Sequence, residues 1–298
     1  MRWVFIVLVV IAIAILVVMV GWKATPHPSL VTREPQDNPV PLPGLMVKVL
    51  DVGQGDSIFI KEGTTEILID GGVAQEGNTV VNDIKPLVEG SLDVVVLTHP
   101  DADHVGGLTA VLENFKVDQL WWNGQFTTSQ AFQNFNDQRY QEEESGMRSR
   151  IVKRGDEFEM EDLVFTVLNT TGAAMSTNDA GVVLNLTYGI TDFLFNADVS
   201  QVTEREMLDA GVLPANVDVL KVGHHCSKMS SCAEFLAQVH PKYAIYSCGV
   251  GNTYGFPTSE AIDRLKAVHA VIYGTDINGT VTVISDGSTI AVTGEDGK

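Results

Sequence analysis

The feature that most constrains this chain is a short loop, His99 to His104, with the sequence HPDADH. Four of its six side chains are imidazole or carboxylate groups, which are common ligands of divalent metal ions. The loop directly follows an apolar run, Val94 to Leu97, which is typical of a buried strand. Gly106 and Gly107 follow and permit a tight turn before an apolar stretch that favours a helix. The sequence therefore predicts a metal site in a cleft at the end of a strand.

An acidic turn that caps a helix is the alternative interpretation, because Asp at a helix start accepts backbone hydrogen bonds. Two His and two Asp within six residues exceed what a cap requires. Further candidate ligands follow apolar runs downstream, where Asp198 ends one predicted strand and His224 and His225 end another. Adjacent residues at a strand end point to opposite sides, so we expect one of these two His to be a ligand and the other a substrate contact or a core histidine. The candidate ligands are His99, Asp101, Asp103, His104, Asp198 and one of His224 or His225.

This ligand set indicates a reaction class. Mixed imidazole and carboxylate ligands without thiolate suit zinc, manganese or iron, and Asp198 could bridge two ions. Two ions about 3.5 to 4 Å apart lower the pKa of a shared water and stabilise charge on a carbonyl or phosphoryl oxygen. Asp70, in Asp70-Gly71-Gly72 after another predicted strand, is expected to orient a metal ligand through a hydrogen bond. The predicted reaction is hydrolysis by a metal-bound hydroxide.

Charge and cysteine content narrow the function further. The formal net charge of −19 argues against a purely electrostatic nucleic-acid binder. Three cysteines form neither a disulfide framework nor a zinc ribbon. Cys226 and Cys232 are close enough in sequence to bridge in an oxidising compartment, and buried inert thiols are the equal alternative.

The amino-terminal segment predicts attachment to a membrane. Val4 to Gly21 carries no charge and is long enough to cross a bilayer. A cleaved signal peptide is the alternative, but the run is long for one and no clear cleavage site follows. Arg2 precedes the run in a short amino-terminal flank. This arrangement predicts that the body of the protein lies outside the cytoplasm. We therefore expect an anchor or signal peptide in residues 1–22, a Pro-rich tether in residues 23–44 and a hydrolase domain in residues 45–298.

Short strands and helices alternate in the predicted domain. Ser57 to Ile60 is expected to pair with Glu66 to Ile69 as a hairpin. Helical spacing covers Thr79 to Val88 and Val105 to Phe115, on either side of the strand that carries the HPDADH loop. This alternation predicts an α/β fold with its chemistry at the carboxyl ends of strands.

The motifs also carry a family resemblance. HPDADH resembles the HxHxDH signature of the metallo-β-lactamase superfamily, and Asp101 at the middle position is similar to the variant in the carboxy-terminal domain of ComEC-type competence proteins. Further blocks resemble that domain in the same order and extend over nearly everything after the tether. They are LDVGQGDS (Leu50 to Ser57), ILIDGG (Ile67 to Gly72), Asn178 to Leu184, LFNAD (Leu194 to Asp198), LKVGHHCS (Leu220 to Ser227) and NTYGFP (Asn252 to Pro257).

The resemblance implies a four-layer αβ/βα metallo-β-lactamase sandwich that binds two divalent ions, zinc or manganese. In such a site His99 and Asp101 fall on one ion, Asp103 and His104 on the second, and Asp198 between them. The family pattern favours His225 over His224 as the last ligand. Asp103 and His224 are then the candidate catalytic residues.

Several positions depart from the family pattern. HHGS becomes HHCS at Cys226, TGD becomes NAD at Asn196, and YGHP becomes YGFP at Phe256. The first two changes preserve the predicted ligands, whereas Phe256 removes a possible proton donor or phosphate contact. Asn178 lies where relatives place another ligand.

The leading hypothesis is a membrane-anchored, extracytoplasmic metal-dependent hydrolase that cleaves phosphodiesters, with nucleic acid as a candidate substrate; no protein partner can be inferred. The same chemistry could act on another ester, a lactone, a lactam or a phosphocholine-type head group. A catalytically quiet binding protein that retains the metals is the hypothesis of a different class, and Phe256 favours it.

Overall fold

The computed structural model of the protein describes residues 44–170 and 176–295. The predicted membrane segment and nearly all of the predicted tether lie outside these residues. Within the described ranges, no helix combines the length and the apolar character needed to cross a bilayer.

Two mixed β-sheets face each other. The strands are β1 Leu45–Val49, β2 Ile58–Glu62, β3 Thr65–Ile69, β4 Ser91–Leu97, β5 Lys116–Trp122, β6 Arg148–Ile151, β7 Glu157–Met160, β8 Leu163–Asn169, β9 Val183–Tyr188, β10 Thr191–Phe195, β11 Val219–Lys221, β12 Tyr243–Tyr246, β13 Val271–Gly274, β14 Val281–Ser285 and β15 Ile290–Gly294. The first sheet has the order β15-β14-β1-β2-β3-β4-β5-β6, and the second has the order β13-β12-β11-β10-β9-β8-β7.

Helices cover the outer face of each sheet. They are α1 Gly77–Ile84, α2 Ala102–Val105, α3 Leu108–Asn114, α4 Gln130–Glu144, α5 Gln201–Asp209, α6 Ala233–Val239, α7 Ser259–Ala267 and α8 Thr275–Asn278, with 3₁₀ turns at Ala74–Glu76 and Gly223–Cys226. Apolar side chains of α1, α3 and α4 pack on the first sheet, and those of α5, α6 and α7 pack on the second. The predicted αβ/βα sandwich is therefore confirmed.

The apolar run that precedes the HPDADH loop forms a strand buried on both faces. In β4, Val94 and Val96 pack in the layer between the two sheets, whereas Val95 and Leu97 pack against the helices. A strand that is covered on both faces needs apolar residues at consecutive positions rather than alternating ones. The strand therefore lies in the centre of the sandwich and fixes the position of the loop that follows its carboxyl end.

Parallel strand pairs bring the site residues to one edge. In the first sheet β3 pairs in parallel with β4, and in the second β10, β11 and β12 run parallel. Parallel neighbours end at the same edge of a sheet, where α/β folds place their ligands. The segments that follow β3, β4, β10, β11 and β12 contain the candidate site residues.

The predicted hairpin is confirmed, because β2 and β3 pair antiparallel and place Ile58 opposite Ile69.

The predicted helix from Val105 to Phe115 is wrong in one respect, since it is interrupted between α2 and α3. The break brings Gly107 against Gly71, where an added Cβ on Gly107 would lie 1.9 Å from the Gly71 carbonyl oxygen. This close approach requires glycine and docks the metal-ligand loop against the end of β3.

Candidate metal centre

The HPDADH loop places two imidazoles side by side. His99 follows β4, and His104 lies in the short helix α2, which begins after Asp101. Both histidines are fully buried, and their ring centroids are 4.1 Å apart. The turn from strand into helix thus converts a spacing of five residues into direct contact.

Asp70 orients both of these rings. Its Oδ2 atom accepts a hydrogen bond from His104 Nδ1 at 2.7 Å and another from the Thr98 hydroxyl at 2.6 Å. The Thr98 oxygen lies 3.0 Å from His99 Nδ1 and, because its own proton is donated to Asp70, it accepts from that nitrogen. Each imidazole is therefore held by Nδ1, which leaves Nε2 to face the centre of the site. This geometry supports the prediction that Asp70 orients a candidate metal ligand.

The second sheet supplies Asp198 after β10 and His225 after β11. His225 Nδ1 donates to the Ser247 carbonyl at 3.0 Å, so this imidazole also presents Nε2 to the centre. The backbone at His224, His225 and Cys226 is left-handed, with φ of 49°, 53° and 63°. Such a conformation suits glycine, which explains why a glycine is favourable at position 226 of the family pattern.

Carboxylates surround the three Nε2 atoms. Asp198 Oδ2 lies 3.3 Å from His104 Nε2 and 3.2 Å from His225 Nε2. Asp103 Oδ2 lies 3.3 Å from His225 Nε2, and Asp101 Oδ2 lies 3.9 Å from His99 Nε2. The structure thus brings all six predicted ligands together, although Asp101 is the most peripheral and the most exposed.

The donors fit a divalent metal. The Nε2 atoms of His99, His104 and His225 and the Oδ1 atom of Asp198 are buried and make no hydrogen bond within the described part of the chain. Buried polar atoms without partners are rare because no hydrogen bond offsets the free-energy cost of removing them from water. Ligand atoms within 4.8 Å of one another form the groups His99/His104/Asp198, Asp103/His104/His225 and Asp56/Asp198/His225. An imidazole and carboxylate set of this kind suits zinc or manganese, and its division between two ions stays a prediction.

The imidazoles and carboxylates of the cluster shift one another's pKa values. Burial opposes protonation of His104 and His225, but the surrounding carboxylates, of which Asp198 contributes most, together outweigh it and raise the pKa of both imidazoles well above the usual range. Burial and the neighbouring His104 instead lower the pKa of His99. Burial would raise the pKa of Asp198, but the His225 and His104 rings lower it well below its usual range. A divalent ion would replace the protons on His104 and His225, so its binding releases protons.

A buried ion pair lies directly behind the cluster. Lys221 Nζ donates to Asp56 Oδ2 at 2.6 Å, and the two side chains are 1% and 3% exposed. Asp56 Oδ1 lies 3.4 Å from His225 Nδ1. Burial would raise the pKa of Asp56, but Lys221 and His225 lower it to about 2. The pair joins the start of β2 in the first sheet to β11 in the second.

A cavity of about 170 Å³ opens onto the cluster. Its lining residues are Gln54, Asp101, Asp103, Asn178, Asp198, His224, His225, Tyr254 and Phe256. His224 lies in the wall, outside the groups of converging ligand atoms, with its ring centroid 5.8 Å from that of Phe256. The two neighbouring histidines thus face different surroundings, and His225 is the one that joins the cluster.

Sequence reasoning missed Asp56 and Lys221 at this site. The available signal was Lys221 among apolar neighbours near the end of the predicted strand Val217 to Val222, because lysine is rarely buried without a partner.

The open question about the cysteines is also answered within the described residues. Cys226, Cys232 and Cys248 are all free and buried, and burial raises the pKa of each thiol to about 12. They are inert thiols rather than a bridge.

Comparisons with known proteins agree with this architecture. A family model described as the metallo-β-lactamase superfamily matches residues 50–250. The chain is 31% identical over 262 residues to ComE operon protein 3 of Bacillus subtilis, covering 79% of this chain and 32% of that protein. It is 28% identical to competence protein ComA of Neisseria gonorrhoeae, covering 79% and 31%. The chain therefore spans about a third of the length of these curated relatives.

Solved structures support the fold alone. The metallo-β-lactamase fold protein YhfI of Bacillus subtilis superposes with a TM-score of 0.53 at 12% identity, covering 78% of this chain and 96% of that one. A variant of the β-hydroxylase CmlA gives a TM-score of 0.54 at 13% identity, covering 85% and 55%. Because these two have different names and similar folds, the activity must be argued from the site.

Proposed function

This chain belongs to the metallo-β-lactamase superfamily, and we propose that it is a hydrolase that cleaves phosphodiester bonds with the help of two divalent ions, zinc or manganese. One observation carries the proposal: three buried imidazole Nε2 atoms, which make no hydrogen bond to any described residue, lie in groups of potential ligand atoms with the carboxylates of Asp103 and Asp198. When bound, the ions supply a water of lowered pKa and a positive field for the phosphoryl oxygens.

The residues of the chain make this chemistry dependent on the ions. Asp101, Asp103 and Asp198 line the cavity, and no Lys or Arg is among the described residues that line it. Without bound metal ions these three carboxylates outnumber the protonated His225 imidazole in the cavity lining, so a phosphate group would meet a net negative charge. Asp70 and the Ser247 carbonyl hold the imidazoles in fixed orientations, so that little reorganisation accompanies binding.

We assign to His224 the role of contacting the substrate. It lies in the cavity wall beside the cluster, and its imidazole can donate a hydrogen bond to a phosphoryl or leaving-group oxygen. Phe256, which stands where the family pattern has His, offers no such donor. We therefore place the proton-donating role, which two groups could share in the family pattern, on His224 alone.

Metal content and hydrolysis test the proposal together. The full chain in detergent is expected to contain about two ions per molecule by plasma mass spectrometry and to hydrolyse bis(p-nitrophenyl) phosphate. Chelation should remove both the ions and the activity, and zinc or manganese should restore them, because the three Nε2 atoms make no hydrogen bond to any residue that the structure describes.

Other esters serve as the comparison. The uncharged substrate p-nitrophenyl acetate does not meet the repulsion of the acidic cavity, so its hydrolysis without that of the phosphodiester would favour the alternative ester function. Two ions with no hydrolysis of either substrate would favour a binding protein. A chain that takes up no metal after reconstitution would contradict the mechanism altogether.

We also propose that the protein is held at a membrane with its domain outside the cytoplasm. The uncharged run Val4 to Gly21 supports this proposal. The full chain is expected to remain with bacterial membranes after a carbonate wash, whereas a chain that lacks residues 1–22 should be released. Release of the full chain by carbonate would contradict the anchor.

A further inference from the structure

Two aromatic rings extend from the candidate metal cluster to the solvent. Phe256 contacts the cluster, with its ring centroid 6.1 Å from that of His225. The ring of Tyr254 lies nearly parallel to Phe256, at an interplanar angle of 11° and a centroid distance of 5.7 Å. Tyr254 remains 65% exposed although it lines the cavity. A flat aromatic face is thus available beside the position where the substrate must bind.

The side chain of Asn252 holds the loop that carries this pair. The Asn252 amide nitrogen donates to the carbonyls of Gly249 at 2.9 Å and Phe256 at 2.6 Å. The Asn252 amide oxygen accepts from the backbone N–H groups of Tyr254 at 3.1 Å and Phe256 at 3.0 Å. Asn252 therefore fixes the backbone of both aromatic residues, and their parallel arrangement is part of an ordered loop.

The charge of the cavity decides what this aromatic face can bind. Proteins that follow a nucleic-acid backbone use Lys and Arg, and none is among the described residues that line the cavity. Apart from the ions and the hydrogen bond that we assign to His224, stacking offers a further source of affinity, and it depends on the flat face of a ring and not on charge. A phosphodiester without an aromatic group gains nothing from Tyr254, whereas a nucleotide gains contact with its base.

We propose that Tyr254 and Phe256 form a base-stacking subsite that holds an unpaired nucleobase next to the scissile phosphodiester. A base inside a duplex already stacks on its neighbours, so the subsite selects single-stranded nucleotides. The inference rests on the proposed phosphodiesterase function and names its substrate class. It also gives Phe256, at the position where the family pattern has His, a role in base stacking.

Three dinucleotides test the subsite. Thymidylyl-thymidine is compared with two analogues in which either the 5′ or the 3′ base is replaced by an abasic tetrahydrofuran, so that charge and backbone stay the same. In the metal-loaded full chain one of the two abasic analogues is expected to show a kcat/KM about 5- to 100-fold lower than that of thymidylyl-thymidine. Tyr254→Leu should abolish this preference, whereas the exposed Tyr140, which lies outside the cavity lining, serves as the control through Tyr140→Leu. Equal values for all three substrates would overturn the inference.

Binding separates the failure of this inference from the failure of the proposed function. Saturation-transfer NMR with thymidine 5′-monophosphate and the zinc-loaded full chain should show magnetisation transfer to the base protons. Tyr254→Leu should reduce that transfer, and Tyr140→Leu should not. Transfer to the base without hydrolysis of any dinucleotide would support the subsite and overturn the phosphodiesterase. Hydrolysis of bis(p-nitrophenyl) phosphate with no transfer to the base would do the reverse.

Discussion

Replacing Asp198 with asparagine is expected to empty the metal site and to lower kcat/KM for bis(p-nitrophenyl) phosphate by about a thousandfold, or ~4 kcal/mol in the transition state. The Asp198 Oδ2 atom lies within 3.3 Å of the Nε2 atoms of both His104 and His225, and its Oδ1 atom makes no hydrogen bond to a residue in the ranges 44–170 and 176–295. An amide has the same shape but carries no charge, and its nitrogen cannot act as a ligand. The measurements are metal content by plasma mass spectrometry and initial rates at saturating zinc.

A graded series makes this prediction specific. Asp70→Asn should lower metal affinity by about 10- to 100-fold without emptying the site, because Asp70 acts through His104 and Thr98 rather than on the ion. Asp209→Asn is the matched control, since Asp209 is an exposed carboxylate at the end of α5. Full metal content and full activity in Asp198→Asn would exclude this residue as a ligand.

Replacing Lys221 with methionine is expected to destabilise the domain by about 3–5 kcal/mol. The methionine fills the volume of the lysine stem, but the Asp56 carboxylate loses the ammonium that pairs with it at 2.6 Å. Asp56 is 2% exposed, so water does not replace the missing partner. Urea unfolding of the chelated protein, followed by circular dichroism, measures the change in the free energy of unfolding.

The double variant separates the two possible causes of this destabilisation. In Lys221→Met with Asp56→Asn no charge is left unpaired, so much of the lost stability should return. The exposed Lys228 provides the control, and Lys228→Met is expected to change stability by less than about 0.5 kcal/mol. A double variant as unstable as Lys221→Met would show that lost packing, rather than an unpaired carboxylate, causes the effect.

Local sequence patterns predict the strand-and-loop parts of the site well. The run Val94 to Leu97 contains apolar residues at every position because both faces of β4 are covered, and this property is visible in the sequence. The loop after it contains its own ligands, so their proximity follows from their spacing. Asp198 could be placed because it ends another apolar strand and parallel strands end at a common edge.

Contacts between distant segments account for what the sequence did not reveal. The pairing of Asp56 with Lys221 joins the two sheets, and neither residue carries a local signal for the other. The interruption of the predicted helix depends on the approach of Gly107 to Gly71 across the sheet edge. His224 and His225 were expected to diverge as neighbours in a strand, whereas they separate through a left-handed turn. Backbone conformations of this kind are imposed by tertiary packing and leave little trace in residue type.

The origin of the candidate ligands on two sheets bears on how the protein would acquire the proposed metal ions. His99, Asp101, Asp103 and His104 lie in the first half of the chain, which leaves the ribosome before the strands that carry Asp198 and His225. Until the second sheet folds, these four side chains form an open set that discriminates poorly among divalent ions. The ion retained is then decided by the compartment in which the second sheet closes over the first. If that step follows the proposed export across the membrane, the supply of metal outside the cytoplasm, rather than the intrinsic affinity of the site, would determine which ion the folded domain binds.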